Sequence, residues 1–192
     1  MTNKVKNIIY KKNKKKIICL TAYSKNFATE IDKYADITLV GDSLGSVLYN
    51  YDTTRKVTLD NMIEHSKSVR MGIKRSLMVV DMPYKTYQNK MEALKNSIKI
   101  IKETKCDAVK LEGGFKIKEI VRHLVKNNVP VMGHLGVLPQ SVKGKFKYTG
   151  KAEKEKKQLL NDAKLLQNLG VFSIVLECVE SETAKMITKL IN

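Results

Sequence analysis

The sequence predicts an α/β fold of the TIM (β/α)8 barrel type, with about six βα units in one domain spanning 1–192. Three observations lead there. Short apolar runs alternate six times with longer stretches of helical period. The runs are nearly continuous, as in parallel strands whose faces are both covered. Asp42, Asp81, Glu112, His134 and Glu177 each stand at or near the end of such a run.

The elements follow in order. "KIICLTAY" (16–23) reads as the first strand, with a helix through Phe27, Ile31 and Tyr34 behind it. "ITLVGDS" is the second; a loop through Tyr51 and Thr54 leads to a helix beginning near Thr58. "LMVVDMP" (77–83) is the third, closed by Pro83 and followed by a helix through Met91, Leu94, Ile98 and Ile101. "AVKLEGG" (108–114) precedes a helix through Ile117, Ile120, Val121 and Leu124. "VPVMGHLG" (129–136) is followed by a basic loop and a helix from about Lys154, with Leu159, Leu160, Ala163, Leu166 and Leu169 on its stripe. "VFSIVLECV" (171–179) is the sixth strand, and Ser181 is expected to cap the last helix.

An open doubly wound sheet is the alternative closure. No GxGxxG follows the first strand and no Walker A sequence is present, which counts against a nucleotide-binding open sheet. A barrel collects its chemistry at the carboxyl ends of many strands, the pattern seen here. A complete barrel takes eight units in roughly 250 residues. The last two units are therefore expected to be missing by C-terminal truncation, leaving strands one and six as apolar edges.

Composition narrows the function classes. No apolar stretch approaches the roughly 18 to 20 residues of a membrane span, and the basic N-terminus lacks a signal-peptide core. A cytoplasmic protein with no membrane partner is expected. The net charge of +17 raises nucleic-acid binding, but the cations are nearly all Lys, with Arg only at 55, 70, 75 and 122. No nucleic-acid partner is expected; the field suits an anionic small-molecule substrate. Cys19, Cys106 and Cys178 are odd in number and scattered, which points to reduced thiols rather than a disulfide frame or zinc site.

Residues two apart in a strand face one side, so Lys110 and Glu112 project together while Leu111 turns to the helices. A structural ion pair would account for them in isolation. With Asp42 and Asp81 on neighbouring strands, three carboxylates converge on one mouth and repel one another unless a cation is present. Oxygen ligands of that kind suit Mg²⁺, which keeps positions open for water or substrate. His65 and His123, in helices with polar neighbours, read as surface or packing residues; His134, at a strand end, is better placed to meet a ligand. Glu177 follows an apolar run. It pairs with a Lys, turns outward, or serves as a general base with a pKa raised by burial.

"TLVGDSLG", "VTLDNMIEH", "VVDMPY", "VKLEGG", "VPVMGHLGVLPQSV" and "VLECV" together resemble, in order and from about Lys16 onward, the motifs of the ketopantoate hydroxymethyltransferase family. The resemblance implies a Mg²⁺-dependent barrel enzyme of pantothenate, hence coenzyme A, biosynthesis, homo-oligomeric when full length. It implies transfer of a one-carbon unit from the co-substrate 5,10-methylenetetrahydrofolate to the keto acid 3-methyl-2-oxobutanoate, giving 2-dehydropantoate. By the family's pattern Asp42 and Asp81 hold the metal and meet the keto acid, with Glu112 also at the metal. Ser43 and Lys110 bind substrate, His134 lines the site, and Glu177 accepts the proton. The chain departs at Ser24, where the family commonly has Asp, and in "SVKGKFKYTGK", which is shorter and poorer in Gly than the family's loop. The rival readings are a Mg²⁺-dependent keto-acid enzyme of the phosphoenolpyruvate mutase and isocitrate lyase type, a noncatalytic basic binding protein, and an inactive fragment.

Overall fold

The fold is that of a computed structural model, which describes residues 2–142 and 147–191. Its strands are β1 Cys19–Thr21, β2 Ile37–Val40, β3 Leu77–Asp81, β4 Ala108–Glu112, β5 Val131–Gly136 and β6 Ser173–Glu177. All neighbours are parallel, and the spatial order is the chain order β1 to β6. This is a curled half-barrel, with β1 and β6 as its edges. Among the described residues no pairing joins β6 back to β1, so the predicted strands are present but the closed barrel is not.

The helices are α1 Asn3–Tyr10, α2 Lys25–Ile31, α3 Leu44–Tyr49, α4 Leu59–Gly72, α5 Lys90–Thr104, α6 Lys118–Lys126, α7 Glu153–Asn168 and α8 Ser181–Leu190. Local chemistry sets their starts. Thr58 and Asn61 form a reciprocal capping box on α4, and the Asn89 side chain accepts from the backbone N–H of Met91 and Glu92 on α5. The cap of α8 is Glu180, whose side chain accepts from Thr183 N, and not the expected Ser181, which is the first helical residue. Among the described residues no helix is long and apolar enough to cross a membrane.

Some inward faces differ from the expected stripes. Phe27 and Tyr34 are 57% and 69% exposed, while Ala28 and Ile31 carry the contact of α2. On α5 the buried residues are Ala93, Ser97, Ile100 and Thr104, with Met91 62% exposed. Small side chains let these helices lie close to their neighbours, and large apolar residues are left at the rim. Cys19 is exposed rather than buried in an apolar run, because β1 is an edge strand with Ile18 and Leu20 also open to solvent.

The core has two layers. The larger lies between sheet and helices, with Val40, Met78, Val80, Val109, Leu111 and Leu135 facing out to Met62, Ile100, Leu124 and Leu166. The smaller fills the concave side: Ile37, Leu77, Val79, Ala108 and Met132 pack with Val5 and Ile8 of α1. Helix α1, unforeseen in the basic N-terminal sequence, thus supplies apolar side chains to the inner core. Following the inner rows by steps of two gives Val79 then Asp81, Ala108 then Lys110 then Glu112, Met132 then His134, and Val175 then Glu177. Each row begins apolar and ends polar at its carboxyl end.

Asp32, at the end of α2, anchors the approach to β3. Its carboxylate accepts from Lys74 N, Arg75 N, Ser76 N and Ser76 Oγ. Burial alone would raise its pKa, but the bonds from Ser76, Lys74 and Arg75 outweigh burial and hold it at about 2. A folded-state pKa below the unfolded value stabilises the protein above the unfolded value and is lost as pH falls towards 2. The expected contribution at neutral pH is about 2 to 3 kcal/mol. Asp32→Asn should lose most of it in chemical denaturation at pH 7 and differ little from the parent near pH 2; a pH-independent difference would contradict this account.

Candidate active site

A cavity of about 690 Å³ opens at the carboxyl ends of the strands. It brings together all seven residues singled out from the sequence: Asp42, Ser43, Asp81, Lys110, Glu112, His134 and Glu177. Its size is in the range of small-molecule sites. Sheet register explains the convergence. Asp81 lies opposite Lys110, Glu112 opposite His134, and Gly136 opposite Glu177.

Lys110 Nζ and Asp81 Oδ1 form an ion pair at 2.7 Å, with side chains 6% and 5% exposed. Burial works against the Lys110 charge, but Asp81 overcomes it and its pKa is raised. The other Asp81 oxygen accepts from Asp42 N at 3.1 Å. Burial, followed by repulsion from Asp81, pushes the Asp42 carboxyl up to about 7. Burial and then Asp42 push Glu112 up to about 8. These acids crowd one ammonium, so the site carries more latent negative charge than Lys110 balances.

Whether this donor set fits Mg²⁺ turns on number and kind. Among the described residues no group of three or more Asp, Glu, His or Cys side chains is arranged to hold a metal ion by itself. Asp42, Asp81 and Glu112 share the cavity without forming a closed cage. Hard carboxylate oxygens, an uncompensated charge and an incomplete set match an ion that retains several positions for water and substrate.

Glu177 is placed as expected but not in the expected electrostatic state. Its side chain is 36% exposed, and Oε2 is 3.4 Å from His134 Nε2. His134 holds the Glu177 carboxyl below the usual range, overcoming the effect of partial burial. The pKa raised by burial is therefore corrected: an edge strand leaves Glu177 half-buried, and a neighbouring imidazole favours its anion. Gly136, at φ 97°, makes the approach of β5 to β6 possible, since a Cβ there would lie 2.2 Å from Glu177 O. Cys178, at φ 48°, turns the backbone away directly after Glu177.

His134 itself is 1% exposed; neither ring nitrogen makes a well-aligned hydrogen bond among the described residues, Nε2 having only the long approach to Glu177. Glu112 Oε1 is 3.9 Å from its Nδ1. Buried polar atoms of this kind, facing a cavity, are suited to a ligand. His65, read from sequence as a surface or packing residue, joins Tyr49 OH at 2.6 Å and the Tyr23 carbonyl at 2.8 Å. Tyr23 OH in turn meets Ser43 Oγ at 2.8 Å.

Sequence reasoning missed three contributors. Gln140 is 4% exposed and bonds to Asp42, Glu112 and Tyr87. Tyr87 was likewise unmarked. Arg55, in a 3₁₀ turn Thr54–Lys56, lines the cavity and lies over the Tyr84 ring, 4.2 Å from its centroid. The one available signal was the "LPQ" following a polar strand end. Of the loop "SVKGKFKYTGK", residues 143–146 lie outside the described residues.

Comparison with known proteins places this geometry. Solved structures share the fold: a phosphonopyruvate hydrolase with oxalate and Mg²⁺ matches with a TM-score of 0.71 at 7% identity, over 98% of this chain and 68% of that one. A 2,3-dimethylmalate lyase of the PEP mutase/isocitrate lyase superfamily gives 0.70 at 11% identity, with 98% and 68% covered. Sequence relatives are much nearer. A protein named 3-methyl-2-oxobutanoate hydroxymethyltransferase from Pelagibacter ubique (strain HTCC1062) is 65% identical over 192 residues, covering 100% of this chain and 74% of that protein. A protein of the same name from Aliarcobacter butzleri (strain RM4018) is 43% identical over 191 residues, covering 98% and 70%. The sequence profile described as ketopantoate hydroxymethyltransferase matches residues 2–192, and with these identities the chain belongs to that family.

Proposed function

We propose that the chain is a 3-methyl-2-oxobutanoate hydroxymethyltransferase, joining the methylene carbon of 5,10-methylenetetrahydrofolate to C3 of the keto acid. The observation that carries this reading is the meeting of Asp42, Asp81, Lys110, Glu112, His134 and Glu177 in one cavity of a chain 65% identical to a protein of that name.

The residues divide the work. Asp42, Asp81 and Glu112 would hold Mg²⁺, which when bound supplies Lewis-acid withdrawal of electron density from the keto acid. Ser43, open at the cavity mouth, and buried His134 offer polar contacts to the substrate. Glu177, held anionic, takes the C3 proton. Lys110 offsets negative charge growing on the keto oxygen. The C3 carbanion equivalent then bonds to the methylene carbon as the first of that carbon's two bonds to folate nitrogens breaks. Water oxygen replaces the second nitrogen to give the product hydroxyl, and tetrahydrofolate leaves with the C3 proton and one proton from water on its two nitrogens. General-base catalysis gives about 10²–10⁴-fold, roughly 3 to 5.5 kcal/mol, too little alone for a weak carbon acid. Electrostatic help from the rest of the cavity is therefore required.

The absence of an apolar spanning helix among the described residues supports a cytoplasmic setting. Apolar side chains exposed on outer helices, including Phe27, Met71 and Met91, support a homo-oligomer.

The test is product formation by the purified protein. 2-Dehydropantoate should appear only with both keto acid and methylenetetrahydrofolate, disappear with EDTA and return with Mg²⁺. Keto-acid breakdown without folate would assign the lyase chemistry of the fold neighbours instead. A folded protein that makes no product would overturn the assignment.

A further inference from the structure

We propose that Gln140 is a positioning residue that sets the Asp42 carboxylate, and with it the divalent-cation site, and that Tyr87 fixes the orientation of its amide. This rests on the reading of the cavity as a Mg²⁺ site.

Gln140 follows β5 in the sequence Leu138–Pro139–Gln140 and is 4% exposed. Every hydrogen-bonding group it has near the cavity is engaged. Nε2 donates to Asp42 Oδ2 at 2.8 Å and to the Met82 carbonyl at 2.9 Å. Tyr87 OH donates to Oε1 at 2.6 Å. The Gln140 backbone N–H donates to Glu112 Oε2 at 3.0 Å. One residue thus takes one oxygen from each of two carboxylates, Asp42 in the turn after β2 and Glu112 at the end of β4.

The amide has only one orientation that satisfies these partners. A carboxylate and a carbonyl both accept, so the NH2 group must face Asp42 and Met82. The amide oxygen must then face Tyr87, whose hydroxyl must donate. A flipped amide would set its oxygen against two acceptors in a buried site. Tyr87 therefore acts through Gln140, and Gln140 through Asp42.

The experiment is Mn²⁺ affinity by electron paramagnetic resonance, with steady-state kinetics, on the parent, Gln140→Leu, Gln140→Glu, Tyr87→Phe, Asp42→Ala and Asp42→Ala/Gln140→Leu. Removing a group that orients a metal ligand typically weakens metal affinity about 10- to 100-fold, and Gln140→Leu should fall in that range. Gln140→Glu should be weaker still, since a carboxylate would face Asp42 and the Met82 carbonyl. Tyr87→Phe keeps the amide and should show a smaller loss in the same direction. In the Asp42→Ala background Gln140→Leu should have no further effect on Mn²⁺, because the two act as a unit. The apparent KM for keto acid should rise at limiting metal and recover at saturating metal.

Parent-like Mn²⁺ affinity in either Tyr87→Phe or folded Gln140→Leu would overturn the role, as would additivity with Asp42→Ala. A parent protein that binds no Mn²⁺ overturns the underlying reading of the site, and this proposal with it. Tyr87→Phe serves if Gln140→Leu does not fold.

Discussion

Glu177→Gln is expected to bind 3-methyl-2-oxobutanoate normally and to stop exchanging its C3 proton with deuterated water. Gln keeps the size of Glu and can still meet His134, so the cavity is conserved. It cannot take a proton. A positioned base contributes about 10²–10⁴-fold, and exchange should fall by that factor. The structure adds a sign to this expectation. His134 holds the Glu177 carboxyl below the usual range, so the anion persists to lower pH than an ordinary Glu would allow. Glu177 therefore should not limit exchange on the acid side until pH falls below the range in which an ordinary glutamate titrates. A lowered pKa also makes Glu177 a weaker base, which shifts more of the task to stabilising the charge that deprotonation creates. Exchange at the parent rate in Glu177→Gln, measured by NMR without folate, would remove Glu177 from this role.

The fold was legible where period and burial coincide. Lys110 and Glu112 read as neighbours on one face, and both lie in the cavity while Leu111 packs in the outer core. The same two-residue step places Asp81 and Glu177 above Val79 and Val175. The strands could be read because each is a short apolar run. The inward faces of α2 and α5 could not, because Ala28, Ala93 and Ser97 are chosen by close packing and carry little apolar signal. Helix α1 was hidden for a related reason: only Val5 and Ile8 are buried among basic neighbours.

The site was legible in its members and not in its electrostatics. Glu177 follows an apolar run, which suggests full burial, but β6 is an edge and the side chain is 36% exposed. Its pKa depends on His134, forty-three positions earlier, brought alongside by strand pairing. Gln140 is a sharper case. It bonds to Asp42 across a separation of 98 residues, and its only local mark is the "LPQ" after a polar strand end, which does not point to a partner. Solved structures at 7% and 11% identity share this backbone, so the arrangement of strands alone does not select the reaction.

Lys110→Met should injure both the fold and the reaction, and the two injuries can be separated. Met keeps most of the side-chain length and removes the charge. Asp81, 5% exposed, is then left without its cation in a cavity that already holds Asp42 and Glu112. Breaking a buried pair by removing one member typically costs about 3 to 5 kcal/mol. Loss of one preorganised group that stabilises developing charge typically lowers kcat about 10²–10³-fold. Adding Asp81→Asn to Lys110→Met removes the stranded carboxylate and should return most of the stability seen in urea unfolding. It should not return activity, because the charge opposite the keto oxygen is still missing and Asp81 has been neutralised as well. If the double variant recovers activity along with stability, Lys110 serves only to neutralise Asp81. If stability returns and turnover stays well below that of Asp81→Asn alone, its ammonium acts on the reacting substrate. The 2.7 Å pairing in a parallel register, Asp81 opposite Lys110, predicts the second outcome: it holds the ammonium at the carboxyl end of β4, on the cavity wall where the keto acid would lie.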